Sequence, residues 1–336
     1  MSIAVQLPYG GETHSSHDFS STTVTDPSNG GTPGMATAIT VSPGTYAITP
    51  IWPEASTFWT HYVVAQNNLP FNPASNDYHC DWLNASGTVV MRILISGETS
   101  MTFAFYTAQG SGGALTFVDS VTLPTYSGVQ GPWNLFDIGL VAGSTGSLTL
   151  VIAGSLAWQH NNLNHSSFHG VAQVKHRAFG DNFGTACAAV WGQMFYAPYS
   201  TVGSVLWHFI PNANSAVGNT GWGGTVSNVN PVPTTDSTPL TTPGAGAVST
   251  FYNTTQSVSG NILGVLGTSR MYVVPGGPPN IQIVQHVGGG NYFSGLFPGA
   301  VAYQACGYFW SQNPATGVGY IDSQIPTLEM GVASHS

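Results

Sequence analysis

WGQMFYAPYSTVGSVLWHFIP, residues 191–211, reads as two β-strands joined by a turn. Met194, Tyr196 and Tyr199 are bulky, β-favouring residues in its first half. Thr201-Val202-Gly203 supplies a bend, and the apolar run Ser204–Ile210 is a second strand. Pro211 is expected to stop that strand, because proline cannot donate to a ladder. A hairpin of this kind in mid-chain sets the expectation of an antiparallel all-β fold.

The residues on either side repeat that pattern. Strands are expected at 36–49, broken at Pro43-Gly44, and at 58–66. A denser series follows at 87–96, 99–106, 114–123, 132–141 and 147–155, with Gly/Ser turns between. SLTLVIAG at 147–154 is nearly continuous in apolar residues and predicts a buried central strand. Turns recurring every 10–15 residues or so mark an antiparallel sandwich or barrel. Strands resume at 248–252, 262–274, 280–287 and 300–309. Residues 156–170 (LAWQHNNLNHSSFHG) lose periodicity and mark a boundary or crossing segment. The expected organisation is an antiparallel β-sandwich of jelly-roll type. Either two jelly rolls stand in tandem, over 1–158 and 159–336, or one large β domain spans the chain. Residues 1–34 and 321–336 are polar and turn-rich and read as extended terminal arms. Residues 212–247, rich in Pro, Thr and Gly, read as a long surface or interface loop.

Composition narrows the function classes. Charged residues are 5% of the 336, against about 25% in ordinary soluble proteins. The 42 Gly and 22 Pro disfavour long helices. The only cations are Arg92, Lys175, Arg177 and Arg270, too few to neutralise many phosphates, so little direct nucleic-acid contact is expected. A surface poor in Lys and Glu resembles a buried interface and suggests contact with other subunits. The N-terminus lacks the basic and apolar regions of a signal peptide, and no apolar run of roughly 18 residues predicts a membrane span. Cys80, Cys187 and Cys306 are odd in number and widely spaced, which reads as buried free thiols; one disulfide with a spare thiol is the alternative. The sequons at Asn84, Asn164 and Asn253 are of a kind common by chance in a chain rich in Ser and Thr.

No catalytic pattern stands out. His160, His165, His169 and His176, with Asp181, are the densest group of potential metal ligands, but their spacing matches no metal motif and solvated histidines are the expectation. His14, His17 and Asp18 are a weaker group in the N-terminal arm. The 13 acids, Glu98 and Asp119 among them, form no suggestive pair. GGPPN at 276–280 and GGG at 288–290 carry no lysine and precede no helix, so they read as turns. Trp52, Trp59, Trp133 and Trp222 lie in or near loops and could stack on sugars, although tryptophan in a β protein is more often core or interface. The expectation is therefore of no catalytic residue, no metal, no cofactor and no enzymatic activity.

Within 191–211, Trp191-Gly192, Gly203-Ser204-Val205-Leu206 and Ile210-Pro211 resemble the middle of the jelly-roll capsid proteins of picorna-like viruses. Trp82 with Ser86-Gly87-Thr88 is a weaker echo, and Ile325-Pro326 is similar to the extended C-terminal segment of such coats. The near absence of basic residues, including from the N-terminal arm, departs from that pattern. The resemblance implies a structural virion protein that self-assembles into an icosahedral shell. Its partners would be copies of itself, other capsid proteins and a host receptor. The alternative from a different class is an extracellular receptor- or carbohydrate-binding β module, such as a fibre head or adhesin.

Overall fold

The computed structural model describes residues 37–40, 46–49, 51–67, 77–96, 101–110, 112–123, 134–177, 188–204, 211–215, 221–229, 239–242, 244–253, 261–301 and 304–336. These divide into two compact units, residues 1–206 and 207–336. The boundary expected at 158/159 falls inside a strand of the first unit. The 1–34 arm, with His14, His17 and Asp18, lies outside the described residues.

The first unit has two six-stranded antiparallel sheets. One contains β1 (Thr37–Thr40), β3 (Thr57–Asn67), β8 (Asn134–Val141), β9 (Gly146–Ile152), β10 (Ser155–Leu163) and β12 (Ala188–Ala197), in the order β1-β12-β3-β8-β9-β10. The other contains β2 (Tyr46–Ile48), β4 (Asp77–Leu83), β5 (Val89–Ser96), β6 (Met101–Gln109), β7 (Ala114–Leu123) and β11 (Gln173–Arg177), in the order β2-β11-β4-β5-β6-β7. We call them sheet A and sheet B. The strands β1 and β2, expected as one run broken at Pro43-Gly44, thus belong to different sheets.

Strand alternation sorts side chains onto faces. From sheet A, Phe58, Phe136, Ile138, Leu140, Leu148 and Leu150 point inward; from sheet B, Trp82, Met91, Ile93, Phe103 and Phe105 do. They form one core, so the unit is a β-sandwich of jelly-roll type. Each fully buried Leu or Ile here stabilises by about 2–3 kcal/mol through area removed from water. Tyr196 of β12 is fully buried and stacks on Phe58 at 6.2 Å and Trp52 at 5.6 Å.

The 191–211 stretch is divided between units. Its first strand is β12, and the predicted bend exists: Ser204 N donates to Thr201 O at 2.9 Å, and Gly203 has φ 76°. Residues 205–210 lie outside the described residues. Pro211 ends no described strand. It opens β13 (Pro211–Asn214) of the second unit, the one strand position where a missing N–H costs no ladder bond.

The second unit is built on an antiparallel sheet ordered β13-β14-β20-β16-β17, from β14 (Val248–Asn253), β16 (Asn280–Val287), β17 (Gly290–Phe293) and β20 (Glu329–His335). A two-stranded sheet of β15 (Val265–Met271) and β19 (Gln304–Trp310) joins it through a core of Met271, Ile281, Ile283, Trp310, Ile325 and Leu328. The short β18 (Phe297–Pro298) pairs with β16. Gly288 and Gly289 adopt φ 60° and 79° to turn the β16–β17 hairpin, the left-handed geometry a two-residue loop demands.

Two expectations are corrected here. Residues 321–336 are not a free arm: Ile325 and Leu328 are buried, and β20 is central in its sheet, hydrogen-bonded to both β14 and β16. Residues 156–170 are not a crossing segment: β10 occupies 155–163. β10 looked aperiodic because it is an edge strand with two register shifts, near Leu156/Trp158 and Asn161/Leu163.

Candidate functional site

Core packing of sheet B turns the alternate residues of its strands to the opposite, outer face. Val174, Trp82 and Met91 pack inward, so their neighbours Lys175, Asp81 and Arg92 face outward. Antiparallel register then lines these up in one row across the sheet. Lys175 lies opposite Asp81, Asp81 opposite Arg92, Arg92 opposite Tyr106, and Tyr106 opposite Phe117.

Contacts along the row are specific. Arg92 pairs side-on with Asp81 through one edge of its guanidinium, Nε donating to Oδ1 at 2.6 Å and Nη2 to Oδ2 at 3.0 Å. The Asp81 side chain is only 1% exposed and that of Arg92 24% exposed, so the pair is partly buried and held in place by two charge-assisted hydrogen bonds. Tyr106 and Phe117 meet edge to face at 5.4 Å, with Phe117 51% exposed on edge strand β7. Lys175 stands two strand spacings from Arg92, or about 10 Å. Arg177 follows two residues along β11, opposite Tyr46. Three of the four cations in the sequence therefore sit on β5 and β11 of this one sheet. Composition showed that cations are scarce; only the strand register shows that they are gathered.

A second constellation lies where the two sheets meet along β7 and β10. Trp158 of β10 stacks on Phe105 of β6 at 4.6 Å with planes 4° apart. Its Nε1 donates to Asp119 Oδ2 at 3.0 Å, and His160 Nδ1 lies 3.7 Å from the same oxygen. Ser120 N donates to Asp119 Oδ1 at 2.8 Å. The indole hydrogen bond, with the Ser120 amide next, holds the Asp119 carboxyl below its usual range.

Among the described residues the histidine group of the sequence does not converge. His160 is on β10 beside Asp119; His169 is exposed. His165 is fully buried, with Nε2 3.3 Å from Thr107 Oγ1 and Nδ1 3.3 Å from the Val141 carbonyl, so it ties sheet B to sheet A. Burial pushes its pKa down. His176 pairs in register with Cys80 on β4, and Asp181 lies outside the described residues. A different histidine, His61, is buried with Asp137, Nδ1 to Oδ1 2.7 Å, and Thr201 Oγ1 donates to that oxygen at 2.7 Å. All three residues are sealed from solvent, which makes this a structural anchor for the 198–204 turn. Of the tryptophans singled out, Trp52 packs on the core, Trp59 covers Gly139 where any side chain would collide with it, Trp222 is half-buried and Trp133 lies outside the described residues.

No family model and no curated protein matches the chain. Among solved structures it is similar to an endo-β-1,4-glucuronan lyase from the fungus Trichoderma reesei, with TM-score 0.40, 10% identity, 55% of this chain and 92% of that chain covered. It is similar to the alginate lyase vAL-1 from Chlorella virus, with TM-score 0.40, 11% identity and coverage of 59% and 99%. A botulinum neurotoxin type C whose cell entry depends on two ganglioside molecules gives TM-score 0.40, 9% identity and coverage of 63% and 49%. At these values the likeness is one of β-sheet fold. It nevertheless corrects the expectation of no enzymatic activity: folds of this kind include polysaccharide lyases, so the lack of a sequence motif excludes no activity.

Proposed function

We propose that the chain is a carbohydrate-binding β module whose ligand is an anionic glycan, held on the outer face of sheet B. The observation that carries this reading is the row Lys175–Asp81–Arg92–Tyr106–Phe117. Lys175 and Arg92 place two positive charges in this row beside the Asp81 carboxylate, in a chain of formal charge -9. A guanidinium oriented by Asp81 is a side chain suited to planar carboxylate or sulfate groups, at a low ordering cost. Tyr106 and Phe117 continue the row with aromatic surface of the kind that packs on pyranose rings. Two cations about 10 Å apart suit a polymer bearing repeated anionic groups, laid across the strands.

The test is calorimetric titration with polyglucuronate, a sulfated glycan and a neutral glucan. Binding of the acidic polymers, weakened at least tenfold in Arg92→Lys and lost in Lys175→Ala/Arg92→Lys, is expected. Equal affinity for the neutral glucan, or no effect of either substitution, would sink the reading. Ultraviolet absorbance of the same mixtures reads whether a bound polymer is also cleaved.

A second reading, the virion shell subunit, is supported by uncharged exposed apolar side chains such as Val301 at 84%, Ile51 at 63% and Leu156 at 62%. It predicts shells or pentamers in sedimentation of the pure protein. A monomer at all protein and salt concentrations rejects it.

A further inference from the structure

The flank along β7 and β10 is a second surface, and its making depends on one extra residue. Tyr106 lies opposite Phe117, but Phe105 lies opposite Asp119, so Val118 is inserted as a bulge in β7. Without it, Phe117 and Asp119 would share a face, as residues two apart in a strand do. With it, Phe117 stays on the outer face beside Tyr106, and Asp119 turns toward Phe105 and reaches Trp158. Bulges of this kind re-aim a side chain.

The resulting trio has the features of a built recognition surface. Trp158 is held by the Phe105 stack on one ring face and by Asp119 at its Nε1, so the indole is immobile before any ligand arrives. It packs against the rim of the core and remains half-buried. Asp119 is 46% exposed; its two oxygens each accept one hydrogen bond and retain lone pairs for more. His160, 38% exposed, stands 6.0 Å from the indole and beside the same carboxylate. An aromatic plane, a carboxylate acceptor and an imidazole within one residue's reach match the apolar face and hydroxyl rim of an uncharged pyranose.

We infer that this flank is a subsite for a neutral sugar residue, continuous with the outer-face row. The path is short: Phe117 ends the row and Asp119, two positions along the same strand, begins the flank. The inference rests on the glycan-binding reading and specifies it, since the full ligand then carries acidic units across sheet B and a neutral unit folded round the β7 edge.

The test follows tryptophan fluorescence while the full chain is titrated with neutral tetrasaccharides of glucose, mannose and galactose, and separately with tetraglucuronate. The expected result is a saturable change with at least one neutral sugar. It should weaken tenfold or more in Asp119→Asn and in His160→Ala, and be unaffected by Arg92→Lys. Trp158→Phe, titrated by calorimetry because it removes the fluorescent reporter, keeps a ring on Phe105 but lacks the indole donor, and should bind weakly while melting near wild type. Acidic binding through Arg92 with no neutral binding would overturn the subsite and leave the outer-face reading intact. Neutral binding without acidic binding would do the reverse. Neutral binding that survives all three flank substitutions would also overturn the subsite.

Discussion

The Asp81–Arg92 pair should make its largest contribution when only one partner is removed. Arg92→Met keeps the aliphatic stem and deletes the guanidinium that pairs with a side chain only 1% exposed. Breaking a fully buried pair costs about 3–5 kcal/mol, and exposed pairs are worth about 0.2–1 kcal/mol. One partner here is sealed and the other is 24% exposed, so the expected loss is about 2–3 kcal/mol. In a unit of this size that lowers the melting temperature by about 5–10 °C. Replacing both partners, as Asp81→Leu/Arg92→Met, removes the buried charge together with its guanidinium, and the double variant should recover most of the loss. Thermal unfolding monitored by fluorescence, with hydrogen exchange in β5 to localise the change, measures all three proteins. The double variant should fold and yet bind no acidic glycan, which separates stability from recognition. An Arg92→Met within about 0.5 kcal/mol of wild type, or a double variant as damaged as the sum of the singles, would refute the buried-pair reasoning.

His165 has a folded-state pKa below its unfolded value of 6.5, because burial disfavours the charged ring. Its neutral form is therefore the stable one. Stability should be flat above the unfolded pKa and fall as pH drops from there to the folded pKa, a slope that His165→Gln should flatten in melting curves across that range. Cys80 and Cys306 are buried free thiols, with burial pushing Cys306 up to about 11 and Cys80 higher still. Both should resist a thiol reagent at neutral pH until denaturant is added, and rapid labelling of either would contradict their burial. Truncation after residue 328 removes the strand between β14 and β16, and should unfold the second unit while β5 amides in the first keep their exchange protection. Unchanged melting of both units would show that β20 is dispensable.

What was legible in the sequence was whatever repeats every second residue and lies in the middle of a sheet. The strand at 280–287 stands where the pattern put it, because apolar alternation there records a buried face. β10, β11 and β20 were missed for three physical reasons. β10 is a bulged edge whose outward residues are polar, and β11 is only five residues long. β20 carries Gly331 and the buried polar pair Glu329 and Ser334, so its central place is invisible to a hydropathy reading. Glu329 is satisfied by Thr250 Oγ1 at 2.7 Å, a partner 79 residues away.

The candidate sites were still less legible, and for a reason specific to sheets. Each residue of the outer-face row comes from a different strand, so no spacing within the sequence links Lys175 to Asp81 or Arg92 to Tyr106. A helix would have signed such a cluster at intervals of three and four; a sheet writes it in register, which depends on every turn length between. The flank is harder again. Asp119 looked like one scattered acid, and two-residue alternation assigns it to the face of Phe117. Only the insertion of Val118 opposite Phe105 reverses that assignment, and a one-residue bulge leaves no mark in composition or periodicity. The feature that turns Asp119 toward Trp158 is thus the same one that hides it from the sequence.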